Sequence, residues 1–326
     1  MTPRDPEAAR FPLFDVMRLI LALEVFLILH EPTKTFLIEG HVWTPFPPVP
    51  CFLAISGFLV LRSLERVGNY RDFIKRRALR IVPALIASLL LYVILFGPST
   101  IVANLIVYGT AGFVVPQKGF RNGALWSLTI EEVEYVLMAV MFALGAYKRK
   151  WPIWIWLAAM IALRAAVSGN PDLYGRYMPV LIAFPAGSLV YIYRDKVARV
   201  NPWIITALLV AAVVHPWWGY HFRELANSLI AITPALVVAF CAFGPSFPIP
   251  KFPDLSYSIY IYHLPVIQWF GLRVPDAGTP VHFAVVIVLS IVSWYAIEAP
   301  ALRLKEKPRI ATTRSPGPDV LEEAPS

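Results

Sequence analysis

LWSLTIEEVEYVL, residues 125–137, sets three carboxylates, Glu131, Glu132 and Glu134, in a segment that is otherwise apolar. An ionised side chain at the centre of a bilayer costs from about 3 to more than 10 kcal/mol, so such groups persist in lipid only when paired, protonated or working. At about 100° per residue, Ser127, Glu131 and Tyr135 form an i, i+4, i+8 stripe with Glu134 beside it, while Glu132 points away. This helix therefore has one polar face, and that face must look into a protein-lined or wet cavity. The competing reading is a carboxylate held by an arginine for structure alone.

The rest of the chain has the composition of a membrane protein. Of its 326 residues 58% are hydrophobic and 15% charged, with a mean hydropathy of +0.62, against about 25% charge in soluble domains. Thirty Pro and ten Trp fit kinked spans and interfacial aromatic belts. The net charge of +8 comes from 29 basic and 21 acidic residues. Because the basic residues cluster between apolar runs, they set topology and exclude a nucleic-acid patch. Cys51 and Cys241 lie in or beside apolar runs and read as small buried hydrophobes. The first apolar run has no small-residue cleavage site and continues as a span.

Spans are expected near 12–30, 50–65, 81–97, 125–146, 151–168, 177–193, 202–219, 225–243, 255–272 and 281–299. Residues 62–80 read as a basic loop, with further basic clusters at 147–150, 193–199 and 303–309. These and the arginines of the N-terminus fall on one side only if residues 99–115 do not cross fully. The expected fold is all-α: a polytopic integral membrane helix bundle of about ten transmembrane helices plus one re-entrant or interfacial segment. It forms one domain, residues 1–304, with a disordered cytoplasmic tail at 305–326.

Other polar residues sit within these spans. The first holds Arg18, Glu24 and His30, with His30 near the outer end, where a lone histidine is equally well an interfacial anchor. Arg77 and Arg80 share a face at the start of the third; arginine forks bind phosphate bidentately, although topology and lipid headgroups also explain such a pair. In FPDLSYSIYIYHLPV, residues 252–266, a helix puts Ser256, Tyr260 and His263 on one side, and a buried neutral histidine bonded to a carbonyl is the plain alternative. Ser56 and Gly57 read as small-residue helix packing. No phosphate-cradling glycine loop, HExxH or GxSxG occurs, which removes several ordinary enzyme classes.

In order along the chain come the Arg18-to-His30 pair, FLAISGFLV, RRALRIVPAL, WSLTIEEVEY, LSYSIYIYHLPV and YAIEAPALR. This series resembles the membrane acyltransferase family 3, over roughly residues 11 to 304. Members of that family acylate, usually acetylate, sugars of polysaccharides, lipopolysaccharide, peptidoglycan or small metabolites. The resemblance implies His30 as the main catalytic candidate, with Glu131 and His263 as further catalytic matches. It also implies Arg77 and Arg80, with Arg18, at the acyl donor. Ser127, Tyr135, Ser256 and Tyr260 are candidates for lining the site, and Glu298 and Pro300 match a closing Glu-x-Pro. In one respect the chain departs from the pattern. Eleven residues separate Arg18 from His30, where the family usually has ten, and the extra residue rotates the two apart by about 120° on a regular helix.

The expected activity is O-acyl transfer from cytosolic acyl-CoA, most simply acetyl-CoA, to a sugar hydroxyl of an exopolysaccharide, O-antigen or lipid-linked glycan. His30 acts as general base and Glu131 orients an imidazole or supplies a counter-charge. A covalent acyl-histidine or acyl-serine relay stays open. Acetyl-CoA is the co-substrate and no metal is implied. The partners are the glycan acceptor, membrane lipids and the polysaccharide biosynthesis or export machinery, with no nucleic acid. The location is the bacterial inner membrane, with both termini cytoplasmic. The rival reading is a transporter or flippase for an anionic or lipid-linked sugar, against which stands the lack of an inverted repeat.

Overall fold

A computed structural model describes residues 11–29, 46–68, 70–116, 119–214, 232–275 and 277–304, without the side chains of 147 and 148. Its helices are, in chain order, α1 (Pro12–Leu29), α2 (Pro48–Val67), α3 (Tyr70–Phe96), α4 (Thr100–Gly109), α5 (Leu125–Ala143), α6 (Trp151–Ala166) and α7 (Met178–Ile192). They continue with α8 (Arg194–Val197), α9 (Pro202–Val214), α10 (Ile232–Phe243), α11 (Ser256–Arg273), α12 (Thr279–Ser293) and α13 (Ala299–Arg303). Single π turns at Leu173–Tyr177 and Trp294–Glu298 lead into α7 and α13. No strand occurs among the described residues. The expected tail at 305–326 lies outside them.

Proline marks where several helices begin. α2, α6, α7 and α12 carry it in the first turn, where the backbone N–H has no partner within the helix in any case. Pro265 stands inside α11 and leaves the Ile261 carbonyl without its helical donor. That oxygen instead accepts from Asn122 Nδ2 at 2.9 Å and Ser88 Oγ at 3.2 Å. Asn122 is fully buried, its N–H donates to Asn104 Oδ1 at 2.7 Å, and its Oδ1 accepts from the Ala124 N–H at 3.1 Å. The loop entering α5 is thereby fastened to α4 and α11.

The basic stretch at 62–80 is helical, not a loop. α2 runs on to Val67, Gly68 closes it at φ +65°, and α3 begins at Tyr70. Arg and Lys are good helix formers and reach from a helix end into polar surroundings on long apolar stems. Among the described residues the run breaks at Gly68, so the arginines stand on two helix ends. α4 has ten residues, about 15 Å, half a hydrocarbon layer.

Among the described residues three stretches are long and apolar enough to cross a membrane: Pro48–Val67, Tyr70–Phe96 and Thr279–Arg303. Apolar residues also cover the outer faces. On α3, Ile86, Leu90 and Ile94 recur every fourth residue, and on α5 Val133, Val136, Leu137 and Val140 are exposed. α5 is thus inside-out by the standard of soluble proteins, with its carboxylates facing the bundle or a neighbouring helix and its valines outward. That pattern suits lipid as solvent.

The tightest helix pair is α2 with α7. A Cβ at Gly57 would fall on the Phe184 carbonyl, and one at Gly187 on the carbonyl of Ala54. Ser188 Oγ donates across this seam to the Gly57 carbonyl at 3.2 Å. α1 packs on α11, which also meets α3 and α12, while α10 and α7 back α2. Cys51 and Cys241 are free and buried. α1, α2, α3, α5 and α11 together enclose a polar interior.

Candidate active site

Between these five helices lies a narrow throat of about 60 Å³. α1 contributes Arg18, α3 Arg77 and Arg80, α5 Ser127, Glu131 and Tyr135, and α11 Ser256 and Tyr260. Residues that the sequence set on four separate spans therefore meet in one space.

Glu131 is held by two hydroxyls. Ser56 Oγ and Tyr135 OH both donate to its Oε1, and the two donors are themselves 3.3 Å apart. Ser56, read from the sequence as a packing residue, thus belongs to the site. The Arg77 guanidinium lies over the Tyr135 ring, 5.1 Å from its centroid, and over Phe73 at 5.4 Å. Across the throat Ser127 Oγ and Tyr260 OH are 2.5 Å apart, and Tyr260 donates to the Ala124 carbonyl at 3.1 Å.

Asp254, which the sequence analysis missed, ties the arginines together. Its Oδ2 accepts from Arg80 and, at 3.2 Å, from Arg18. Its Oδ1 accepts from Ser256 Oγ at 2.5 Å and the Ser256 N–H at 3.3 Å. Asp254 precedes α11, and this Asx-type turn starts the helix. Burial pushes its carboxyl upward, but Arg80, Arg18 and the Ser256 hydroxyl outweigh that and hold it well below the usual carboxylate range. The sequence signal was an aspartate two residues before a helix start, in a chain with arginines to satisfy.

The throat shares lining residues with two wider spaces. One, of about 790 Å³, is strongly basic: Arg62 and Arg66 of α2 and Arg76 of α3 join Arg18, Arg77 and Arg80, with Asp72 also present. The other, of about 700 Å³, is walled by Val25, Ile28 and Leu29 of α1, by Trp126 and Arg176, and by Tyr260 and Gln268. On α1, Arg18 and Leu29 are about 16 Å apart along the axis. Val49 and Tyr260 border both the throat and this second space.

Among the sequence candidates, His30 lies outside the described residues; Leu29, its neighbour in the chain, borders the second space. His263 is fully buried and borders none of the three spaces. Its Nδ1 is 3.2 Å from the Ile259 carbonyl, its Nε2 has no partner among the described residues, and its ring lies 5.9 Å from that of Tyr260. Glu132 accepts from Tyr108 on α4. Glu134 is buried with no partner for either oxygen among the described residues. Glu298 sits away from the throat, accepting from Ser258 and, at 3.1 Å, from Ser293 Oγ.

A helical bundle with membrane-length stretches and a polar throat bordered by a polyarginine space and a second vestibule fits group transfer or transport at a membrane. Comparison with known proteins decides the class: the acyltransferase domain model of acyltransferase family 3 matches residues 14–299, and the chain belongs to that family. It is 25% identical over 356 residues to "Nodulation protein 10" of Rhizobium leguminosarum bv. viciae, covering 90% of this chain and 93% of the relative. It is 25% identical over 282 residues to the "O-acetyl transferase" of Shigella phage Sf6, covering 78% of this chain and 84% of the relative. No solved structure matches. The chain is thus an acyltransferase with the helices of a membrane protein.

Proposed function

We propose that the protein transfers an acyl group, most simply acetyl, from cytosolic acyl-CoA to a sugar hydroxyl of an exopolysaccharide, O-antigen or lipid-linked glycan. The observation that carries this reading is a narrow polar throat that shares lining residues with an arginine-walled vestibule and with a second vestibule in one bundle. Six arginines suit the phosphates of a nucleotide-bearing donor, with Arg77 and Arg80 at the entrance to the throat. A throat of about 60 Å³ suits the thin thioester end of such a donor and not a sugar ring. The acceptor accordingly enters from the other side.

In this reading the bundle has about ten spans, both termini face the cytoplasm of a bacterial inner-membrane protein, and the basic vestibule opens there. His30, next to Leu29, takes the proton of the acceptor hydroxyl as that oxygen attacks the thioester carbonyl; the CoA thiolate then leaves and is protonated. Glu131, fixed by Ser56 and Tyr135, supplies negative charge beside the reacting groups. Arg18 acts with Arg80 through Asp254, so the extra residue between Arg18 and His30 does not remove Arg18 from the donor side. His263 lines none of the three spaces but packs its ring beside that of Tyr260 and acts as a positioning residue behind it. Ser127 and Ser256 line the path.

The test is thiol release from acetyl-CoA by the protein in nanodiscs, with and without candidate glycans, for the native chain and His30→Ala. Acceptor-stimulated release that disappears in a folded His30→Ala protein supports acyl transfer with His30 as base. Release that persists in the variant moves the base elsewhere. Neither release nor acetyl-CoA binding by the folded native protein sinks the donor assignment and favours the transporter.

A further inference from the structure

Two arginines at the second vestibule have no carboxylate partner among the described residues. Arg176 stands in the π turn Leu173–Tyr177, and its guanidinium lies over the Trp126 ring at 4.5 Å and over Tyr177 at 5.3 Å. Tyr177 is itself fixed, donating to the Ala111 carbonyl at 3.0 Å and stacking on Phe113 at 4.4 Å. Gly112, at φ +73°, makes this approach possible: a Cβ there would come within 2.8 Å of Trp126 Cβ and 3.3 Å of the Arg176 guanidinium. π turns of this kind are frequent at functional sites.

Arg121 stands on the neighbouring loop. Gln268 Nε2 donates to its carbonyl at 2.9 Å, and Tyr92 holds the other end of the Gln268 amide at 3.2 Å. Asn122, buried and bonded to Ile261, pins the next residue. The one hydrogen bond of the Arg121 guanidinium is a long one, 3.4 Å, to the Gly119 carbonyl. Neither Arg121 nor Arg176 takes part in an ion pair among the described residues. Both are half-buried and border the same space of about 700 Å³, a size within the range of small-ligand pockets.

A guanidinium stacked on a ring keeps its in-plane N–H donors, which match the fork of a carboxylate or phosphate. Holding the arginines in place beforehand removes much of the ordering cost of binding. A neutral ligand covering this wall would instead strip water from two cations and give them no anion in return. Arg194 shows the contrast within the chain, since it has Glu65 at 3.7 Å.

We infer that the vestibule selects an acceptor glycan that is itself anionic, with Arg176 and Arg121 gripping its carboxylate or phosphate oxygens. This inference rests on the acceptor side of the proposed function. The oxyanion is either a uronate on the sugar or the diphosphate of a lipid carrier, and the two sources separate in one experiment.

That experiment is calorimetric titration of the full-length protein in zwitterionic-lipid nanodiscs. The probes are trigalacturonate, its carboxyl-reduced neutral counterpart, and a short-chain polyprenyl diphosphate glucose. The expected result is that an acidic probe binds at least tenfold more tightly than the neutral one, less so in high salt. R176Q and R121Q, on separate elements, each weaken that binding at least tenfold, while R176K retains part of it. Preference for trigalacturonate assigns the charge to the glycan, and preference for the diphosphate assigns it to the carrier. Equal binding of acidic and neutral probes, native-like binding by both glutamine variants, or no binding of any probe overturns the inference. Acetyl-CoA binding by the native protein, measured in parallel, reports on the donor assignment independently.

Discussion

Arg18 of the first helix and Arg80 of the third converge on the same atom, Asp254 Oδ2. One carboxylate oxygen thus anchors two guanidinium groups that also border the throat and the basic vestibule. Asp254→Asn leaves two partly buried cations without their counter-charge, a change that costs on the order of 3 kcal/mol. Thermal unfolding in detergent should drop accordingly. Because the folded-state pKa is depressed, the stabilisation is complete above the unfolded carboxylate value of about 3.9 and is lost as pH falls toward the folded value. The gap in stability between native and D254N should therefore stay level from pH 8 to about 5 and close only below about 4. A gap that closes between pH 7 and 5 would contradict the assignment.

Glu131→Gln tests charge against shape. The glutamine carbonyl can still accept from Ser56 and Tyr135, so the variant should unfold within about 1 kcal/mol of the native protein. Acyl transfer should fall by about 10²-fold or more if the negative charge works at the reacting groups. Tyr135→Phe removes one of the two donors and the hydroxyl beside Arg77, with a smaller loss of rate. Full activity in E131Q would reduce Glu131 to a packing group.

Gly57→Ala addresses the seam between α2 and α7. The obstructing atom is the backbone carbonyl of Phe184, which cannot swing aside as a side chain would. Separation of the two helices should cost about 3 kcal/mol and reduce the yield of folded protein. Gly187→Ala should behave alike, since it meets the Ala54 backbone. Gly109→Ala, where nothing lies within 4 Å, is the control and should fold normally.

Asn122→Ala removes the side-chain bond to Ile261 that fastens the loop before α5 to α11, and the local acceptor of the Ala124 N–H. The Ile261 carbonyl keeps Ser88, so the expected loss is about 2 kcal/mol rather than that of a fully orphaned group. Limited proteolysis should show earlier cleavage near residues 119–123 than in the native protein. An unchanged cleavage pattern would show that the loop is held by something other than Asn122.

The chemistry of the throat was more legible than its walls. The i, i+4, i+8 stripe of Ser127, Glu131 and Tyr135 could be read because helical period fixes which face a residue occupies. The same period carries on to His263, which borders none of the three spaces. Seven residues beyond Ser256 it returns to the same face, but about 10 Å further along the axis, where α11 is packed shut. The helix ends at 62–80 were hidden because a hydropathy window ends at charge, whereas a helix ends where its backbone does, here at Gly68. Asp254 was hidden for another reason. Its meaning comes from arginines folded over it from two other helices, and no local pattern records that. The Arg176–Trp126 stack likewise depends on a π turn and a left-handed glycine meeting across the bundle.

The throat also bears on what the membrane keeps out. Two spaces of about 790 and 700 Å³ each share lining residues with one of only about 60 Å³, room for only a few water molecules. A constriction that small, lined by Tyr260, Tyr135 and three arginines, would oppose the passage of cations by size and by charge. On the proposed function, two polar reactants would meet at this constriction from opposite sides without an open aqueous path between them.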